Sequence, residues 1–100
     1  MRVVKKKTVV EYFAKHPDAK VALEDWYEKA ANAKWGNFAD LRRTFGSADN
    51  VGGKRIVFNI KGNDYRLVAI VLYRIGMIYV RFIGTHSEYS RLSKEQIVNI

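Results

Sequence analysis

The stretch KRIVFNIKGNDYRLVAIVLYRIGMIYVRFIGTHSEY, residues 54–89, decides the fold of this chain. It holds three strand-like runs, Lys54–Lys61, Asp64–Tyr73 and Met77–Gly84, separated by turns that contain glycine. Alternating or continuous apolar runs of this length, bounded by turn formers, are typical of β-strands. Short connections make consecutive strands antiparallel neighbours. The middle run is apolar on both faces, so we predict that it is the central strand.

The first turn predicts the register of the first two strands. Gly62-Asn63 suits a two-residue hairpin loop, with glycine first as a type II′ turn requires. That loop length pairs Asn59 with Arg66 and Val57 with Val68, because hairpin register follows loop length.

The second turn, read as a two-residue Ile75-Gly76 loop, places Ile70 opposite Arg81. Side-chain parity then puts several polar residues on one face of the sheet. Ile78, Val80 and Phe82 would share the opposite face, which we expect to be the core. The polar face would carry Arg55, Asn59, Lys61, Arg66 and Arg81.

The chain before this stretch is predicted to be helical scaffold. Thr8–His16 has helical apolar spacing and should end before Pro17. Asp18 is expected to cap a second helix, Ala19 to about Ala33, with Trp26 in its apolar stripe. The two helices should form an antiparallel hairpin.

Three further segments complete the expectation. Met1–Val4 is a candidate edge strand. Asn37 should cap a short helical turn that carries Arg42 and Arg43, and Ser47–Gly53 has the composition of a loop. Thr85 and Glu88 have capping-box spacing and should begin the last helix.

The predicted fold class is α+β, with the element order β-α-α-β-β-β-α. An N-terminal helical hairpin would lie on one face of a small antiparallel sheet, followed by a short C-terminal helix. We expect residues 1–100 to form a single domain.

Charge and composition limit the function classes. The net charge of +8 and the pI of about 9.9 favour a polyanionic partner such as nucleic acid. The opening residues lack the apolar core of a signal peptide. The longest apolar run, Leu67–Tyr73, is far shorter than the roughly 20 residues that span a bilayer. We expect a cytoplasmic protein without a membrane segment.

Several kinds of site are disfavoured by the residues themselves. Two histidines and no cysteine do not build a zinc site of familiar spacing. The sequence has neither a glycine-rich phosphate loop before a helix nor a G-x-S-x-G motif. Carboxylates are sparse in the strand region, which disfavours an acidic two-metal nuclease. We therefore predict neither a metal nor a cofactor.

The remaining groups suit metal-free cleavage of RNA. Arg66 and Arg81 would hold a phosphate, while His86 and Tyr89 would transfer protons where the third strand meets the last helix. The substrate's own 2′-OH would attack the adjacent phosphate. Nearby arginines should favour the tyrosinate and lower the pKa of Tyr89. The same residues also fit a basic module that binds RNA or ribosomes without cleaving.

Further cations and one asparagine are candidates for contact with the RNA backbone. Lys54, Arg55, Asn59 and Lys61 extend the predicted polar face. Arg42 and Arg43 are equally consistent with a solvated basic turn.

At FNIKGNDYRLVAIV and YVRFIGTHSEYSRL the sequence resembles the HigB family of bacterial toxins, within the RelE-like superfamily. The likeness runs over nearly the whole chain and includes the DLRRTFGSADNV segment. Arg66 and Arg81 match the family's strand arginines, and His86 and Tyr89 match its C-terminal His and Tyr.

The resemblance implies a toxin that enters the ribosomal A site and cuts mRNA there, without metal or cofactor. It also implies a cognate helix-turn-helix antitoxin, HigA-like, that neutralises it. The free toxin would be a monomer, and the neutralised toxin a hetero-oligomer with its antitoxin. A degenerate, inactive toxin is the remaining alternative.

Overall fold

The computed structural model of this chain describes residues 1–100 and has an α+β architecture, as predicted. A short 3₁₀ turn, Pro17–Ala19, joins the first two helices. The helices are α1 Lys6–Lys15, α2 Lys20–Ala31, α3 Phe38–Thr44, α4 His86–Ser90 and α5 Lys94–Ile97. The strands are β1 Arg2–Val4, β2 Asp49–Gly52, β3 Arg55–Ile60, β4 Tyr65–Leu72 and β5 Met77–Thr85. No helix is long and apolar enough to cross a membrane.

The five strands form one sheet in the order β1-β5-β4-β3-β2, so β4 is central as predicted. The expectation of a purely antiparallel sheet is wrong in one respect, because β1 pairs with β5 in parallel. The expectation of a loop over Ser47–Gly53 is also wrong. Asp49–Gly52 is an edge strand paired with β3, although its turn-forming residues have low strand propensity.

The β3–β4 hairpin has the predicted register, with Asn59 opposite Arg66 and Val57 opposite Val68. The connection is longer than the predicted two-residue loop, since the last paired residues are Ile60 and Tyr65. The left-handed backbone falls at Lys61 (φ 54°) and Gly62 (φ 65°).

The β4–β5 pairing differs from the prediction in two places. The turn is longer than the predicted Ile75-Gly76 loop, since the last paired residues are Leu72 and Met77, and Ile70 therefore lies opposite Tyr79 rather than Arg81. Further along the strand, β5 carries a bulge at Arg81. Between the pairs Ala69–Val80 and Val68–Phe82 the register shifts by one residue. A bulge reverses the parity of the residues beyond it.

This reversal corrects two predicted positions. Phe82 does not share the face of Ile78 and Val80, because it pairs with Val68 and lies outside the main core cluster. Ile83, which uninterrupted alternation along this run would place on the same face as Arg81, packs against the main core instead.

The main core lies between the helices and one face of the sheet. Trp26 on α2 and Phe58 on β3 are each 1% exposed, and their rings meet edge to face at 5.4 Å. The predicted apolar stripe of α2 is therefore confirmed. Burial of aromatic and aliphatic side chains on this scale is the main stabilising contribution to a small domain.

The predicted cap of α2 is wrong. Asp18 lies within the 3₁₀ turn, and no side chain caps the N-terminus of α2. The Asp18 carboxylate instead accepts a hydrogen bond from the Tyr65 hydroxyl of β4 at 2.7 Å.

The other face of the sheet is partly covered by the C-terminal segment. Val57 and Val68 are buried there but are separate from the main core, and Ile97 of α5 is buried as well. Arg55 donates a hydrogen bond to the carbonyl oxygen of Ile100 at 2.6 Å. The predicted polar face is therefore open only toward its other end, where β4 begins.

Candidate functional site

An open cleft of about 720 Å³ lies where β4 begins and β5 runs into α4. Arg66 and His86 both line this cleft. The sequence analysis assigned both residues to one site, Arg66 from strand parity and His86 from its place where the third strand meets the last helix. The cleft is also lined by Asp18, Asn63, Asp64, Tyr65, Thr85 and Ser87.

Arg66 projects from β4 on the face away from the helical hairpin. Its Nη1 donates to the carbonyl oxygens of Asn63 and Tyr65, each at 3.1 Å. Its Nε and Nη2 form no hydrogen bond within the chain, so the guanidinium keeps donors for a bound anion. It forms no ion pair with a carboxylate either.

His86 occupies the first position of α4 and is exposed. Its backbone N–H donates to the carbonyl oxygen of Asp64 at 2.9 Å, which ties the helix start to the hairpin. The predicted capping box is present, with the Thr85 hydroxyl 3.1 Å from the Glu88 N–H and the Glu88 carboxylate 2.7 Å from the Thr85 N–H. These hydrogen bonds hold the pKa of Glu88 below its usual value.

Tyr89 is half-buried one turn further along α4, where its ring lies 6.5 Å from that of Phe82. Burial raises its pKa, and Asp49 raises it further, while the charge of Arg66 acts in the opposite direction. The predicted lowering by clustered arginines is therefore wrong, because desolvation exceeds the effect of the single arginine. A raised pKa keeps Tyr89 a neutral phenol, which can donate a proton or a hydrogen bond.

The bulge explains how Tyr89 and Arg66 come near each other. Arg66 lies opposite Gly84, which has no side chain. The ring of Phe82 fills the space beside Gly84, with its Cζ only 2.6 Å from where a β-carbon would lie. Tyr89 packs on this ring. The bulge thus turns the Phe82 ring, which the sequence analysis placed in the core, toward α4. We call this ring, on which Tyr89 packs, the Phe82 platform.

Arg81 is the extra residue of the bulge and is exposed. It forms no hydrogen bond or ion pair, and it does not line the cleft. Parity from Tyr79 still places it on the same side of the sheet as Arg66. Arg81 is therefore a free cation beside the Phe82 platform.

Of the six residues predicted to contact the RNA backbone, two lie near the cleft and four lie away from it. Asn59 pairs with Arg66 across the hairpin, and Lys61 follows in the turn, 3.3 Å from Asp18 and 3.7 Å from Asp64. Arg55 is at the covered end, where it donates to the carbonyl oxygens of Gly53 and Ile100.

The other three predicted RNA contacts lie away from the cleft. Lys54 is beyond Arg55, in the turn between β2 and β3. Arg42 donates to the Gly46 carbonyl oxygen at 2.7 Å, and Arg43 forms an exposed ion pair with Asp40 at 2.7 Å. The Arg42 and Arg43 side chains are therefore both engaged in contacts within or just after α3.

Sequence reasoning missed the wall of the cleft opposite His86. The Tyr65 hydroxyl donates to both carboxylate oxygens of Asp18, at 2.8 and 2.7 Å. This hydrogen bond raises the pKa of Tyr65 to about 12 and lowers that of Asp18. Behind it, Tyr12 and His16 of the α1 end stack at 4.2 Å. Asp18 and Tyr65 are far apart in sequence, so no local signal indicates their contact.

No cluster of three or more His, Cys, Asp or Glu side chains is arranged to hold a metal ion. The cleft itself offers an unpaired guanidinium, Arg66, and an exposed imidazole, His86. The half-buried phenol of Tyr89 and the free Arg81 do not line it but belong to the neighbouring α4 and β5. Such groups bind a phosphate and exchange protons with it.

Comparison with known proteins identifies relatives of this chain. Residues 19–92 match the HigB toxin family, described as the RelE-like toxic component of a toxin–antitoxin system. The mRNA interferase toxin HigB of Escherichia coli K12 is 31% identical over 91 residues, which cover 89% of this chain and 88% of the relative. The mRNA interferase HigB of Shigella flexneri has the same identity and coverage. An mRNA interferase HigB from an Escherichia coli O6:H1 strain is 25% identical over 96 residues, covering 94% of this chain and 93% of the relative.

Proposed function

Because this chain belongs to the HigB family, the RelE-like toxic component of a toxin–antitoxin system, we propose that it cuts translated mRNA at the cleft between β4 and α4. The family and the relatives make the chain a toxin and an mRNA-cleaving endoribonuclease. The position of the site, the reaction path and the dependence on the ribosome are the proposal.

The reaction is an attack of the substrate's 2′-OH on the adjacent phosphate, with loss of the 5′-oxygen. Arg66 and Arg81 stabilise the negative charge that builds on the phosphate. His86 takes the 2′-OH proton, because an imidazole nitrogen exposed at the cleft can accept a proton from a hydroxyl within hydrogen-bond reach. Tyr89, which burial keeps neutral, donates its proton to the 5′-oxygen as that oxygen leaves, and the products are a 2′,3′-cyclic phosphate and a 5′-hydroxyl.

One observation carries the proposal: Arg66 and His86 line the same cleft. Tyr89 adjoins it, because its ring lies 6.5 Å from that of Phe82, which fills the space beside Gly84 opposite Arg66. Hydrogen-bond donors of Arg66 and the whole side chain of Arg81 are free of protein partners. In this proposal the two arginines stabilise the negative charge on the phosphate, a role that a metal ion fills in metal-dependent nucleases.

The remaining RNA contacts are proposed on both sides of this cleft. Asn59 and Lys61 adjoin Arg66 through the hairpin and would contact the nucleotides next to the cut. Arg42, Arg43 and, in the toxin free of antitoxin, Lys54 lie further away and would attract ribosomal or messenger RNA through charge alone. Arg55 would support the fold rather than bind RNA, given its hydrogen bonds to the backbone.

The setting of the reaction is proposed from the resemblance to this family. The single domain acts in the cytoplasm, as a monomer, on mRNA held in the ribosomal A site. A helix-turn-helix antitoxin neutralises it in a hetero-oligomer. An exposed cleft and a net charge of +8 suit a substrate presented by a large RNA particle.

Mapping of RNA 5′ ends tests this proposal. Toxin treated with chelator and then desalted is added to ribosomes translating a defined mRNA, or to the same mRNA alone. New 5′ ends at the A-site codon, only with ribosomes, are expected. Equal cleavage of free mRNA would contradict ribosome dependence. Activity that returns only after a metal ion is added back would contradict the metal-free reaction, and binding without new ends would favour a non-catalytic module.

A further inference from the structure

A second cavity, of about 900 Å³, lies at the opposite end of the sheet from the cleft. It is formed where β4 leaves the sheet and where the β2–β3 turn and the start of α3 approach it. We call it the distal pocket and define it by Phe38, Lys54, Val71, Tyr73, Arg74 and Ile75. Neither the toxin family nor the proposed cleavage site accounts for it.

The distal pocket is far from the cleft. Tyr65 lines the cleft and Val71 lines the distal pocket, six residues further along the same strand. At about 3.3 Å per residue, roughly 20 Å separates them. A ligand in one does not contact the other.

The distal pocket has an apolar interior and an exposed apolar edge. Phe38 and Tyr73 are half-buried, and Val71 is buried. Ile75 is 63% exposed, one of three large hydrophobic side chains that the chain leaves in solvent. Exposed apolar residues beside a concave apolar surface are typical of protein interaction sites.

The charge of the distal pocket has one sign. Lys54 and Arg74 are its charged residues, both are exposed, and neither forms an ion pair. No aspartate or glutamate lines it. Surface complementarity therefore requires an acidic partner.

We propose that the distal pocket docks an acidic segment of the cognate antitoxin. An apolar side chain of that segment enters beside Tyr73 and Ile75, and its carboxylates pair with Lys54 and Arg74. The inference rests on the proposed function only in that a toxin of this family has an antitoxin. Half of the lining residues are hydrophobic, which favours a protein over RNA, because interfaces with nucleic acids are more polar.

Two variants of the full-length toxin test the docking site, with the antitoxin of the same operon as the probe. Arg74→Glu reverses a rim charge, and Ile75→Asp places a charge on the apolar edge. Both residues are exposed, so the fold should persist. Matched controls are Lys15→Glu, an exposed charge reversal on α1, and Val21→Asp, an apolar side chain 79% exposed on α2. Calorimetric titration should show a Kd for the antitoxin raised about tenfold or more in each variant and less than about twofold in each control.

Either variant binding the antitoxin as tightly as wild type overturns the inference. So does a variant that binds it normally but loses affinity for ribosomes, because the pocket would then contact RNA. Cleavage assays on the same preparations keep the two proposals separate. Variants that cut mRNA but no longer bind the antitoxin support both proposals. If the wild-type protein does not cut mRNA, and Arg74→Glu still loses affinity for the antitoxin, only the cleavage proposal is refuted.

Discussion

Substitution of Gly84 by alanine should disturb the fold and the candidate site together. The backbone at Gly84 lies outside the left-handed region, so alanine is sterically compatible with it. The added β-carbon would lie 2.6 Å from Cζ and 3.0 Å from Cε2 of Phe82, and 3.2 Å from the Glu88 carboxylate. Since β-carbons do not approach other heavy atoms closer than 3.0 Å, the Phe82 ring must move. Tyr89 packs on that ring and moves with it.

The size of the effect follows from the crowding. Forcing extra volume into a packed site costs about 1–3 kcal/mol of unfolding free energy. For a chain of this length, about 4–8 °C of Tm is lost per kcal/mol, so Gly84→Ala should lower Tm by roughly 5–20 °C. Cleavage should fall by roughly 10–100-fold even at temperatures where the variant is folded, because small misplacements of a catalytic group are costly.

Thermal unfolding and 5′-end mapping measure the two effects. Gly46→Ala is the matched control, since its β-carbon would meet no atom within 4 Å. In a Phe82→Leu background, which lacks the two crowded ring atoms, Gly84→Ala should cost distinctly less. The reasoning is refuted if Gly84→Ala and Gly46→Ala melt within about 2 °C of each other. It is also refuted if the Phe82→Leu background leaves the cost of Gly84→Ala unchanged.

Two further predictions concern the cleft. Folding raises the pKa of Tyr65 to about 12, so the stability that its hydrogen bond to Asp18 contributes should be complete below about pH 10 and lost as pH rises through about 12. Urea titrations at alkaline pH should show this loss of unfolding free energy in the wild type but not in Tyr65→Phe. Arg81→Ala should reduce cleavage by about 10²–10³-fold while changing the unfolding free energy by less than about 0.5 kcal/mol, because the side chain is exposed and unpaired. Arg2→Ala, at another exposed arginine, controls for the loss of charge, and an equal loss of cleavage in both variants would contradict a specific role of Arg81.

Local patterns were sufficient to predict much of the sheet. The alternation in β3 and the glycine turn after it gave the pairing of Asn59 with Arg66, although the turn itself is longer than predicted. The capping box at Thr85 was also predicted, because both of its hydrogen bonds lie within four consecutive residues. These features depend on neighbours in the chain, where spacing and chemistry are visible together.

The features that sequence reasoning missed all depend on distant contacts. The bulge at Arg81 leaves no clear mark in an alternating run, yet it moves Phe82 from the core face to the site. The pKa of Tyr89 was predicted in the wrong direction, because its burial is invisible in the sequence and outweighs the charge of Arg66. Asp18 suits a helix cap by position, but its partner is Tyr65 on another element.

The parallel pairing of β1 with β5 bears on how the toxin matures. Arg2 is synthesised at the start of the chain but pairs with Met77. At roughly 5–20 residues per second, several seconds pass before that partner exists. Closing so long a loop is entropically costly, and contacts of this kind form slowly. The helical hairpin can form early, whereas β5 is made late and carries the bulge that organises the site. The sheet that positions Arg66 and His86 is therefore complete only after this last-made strand has joined it.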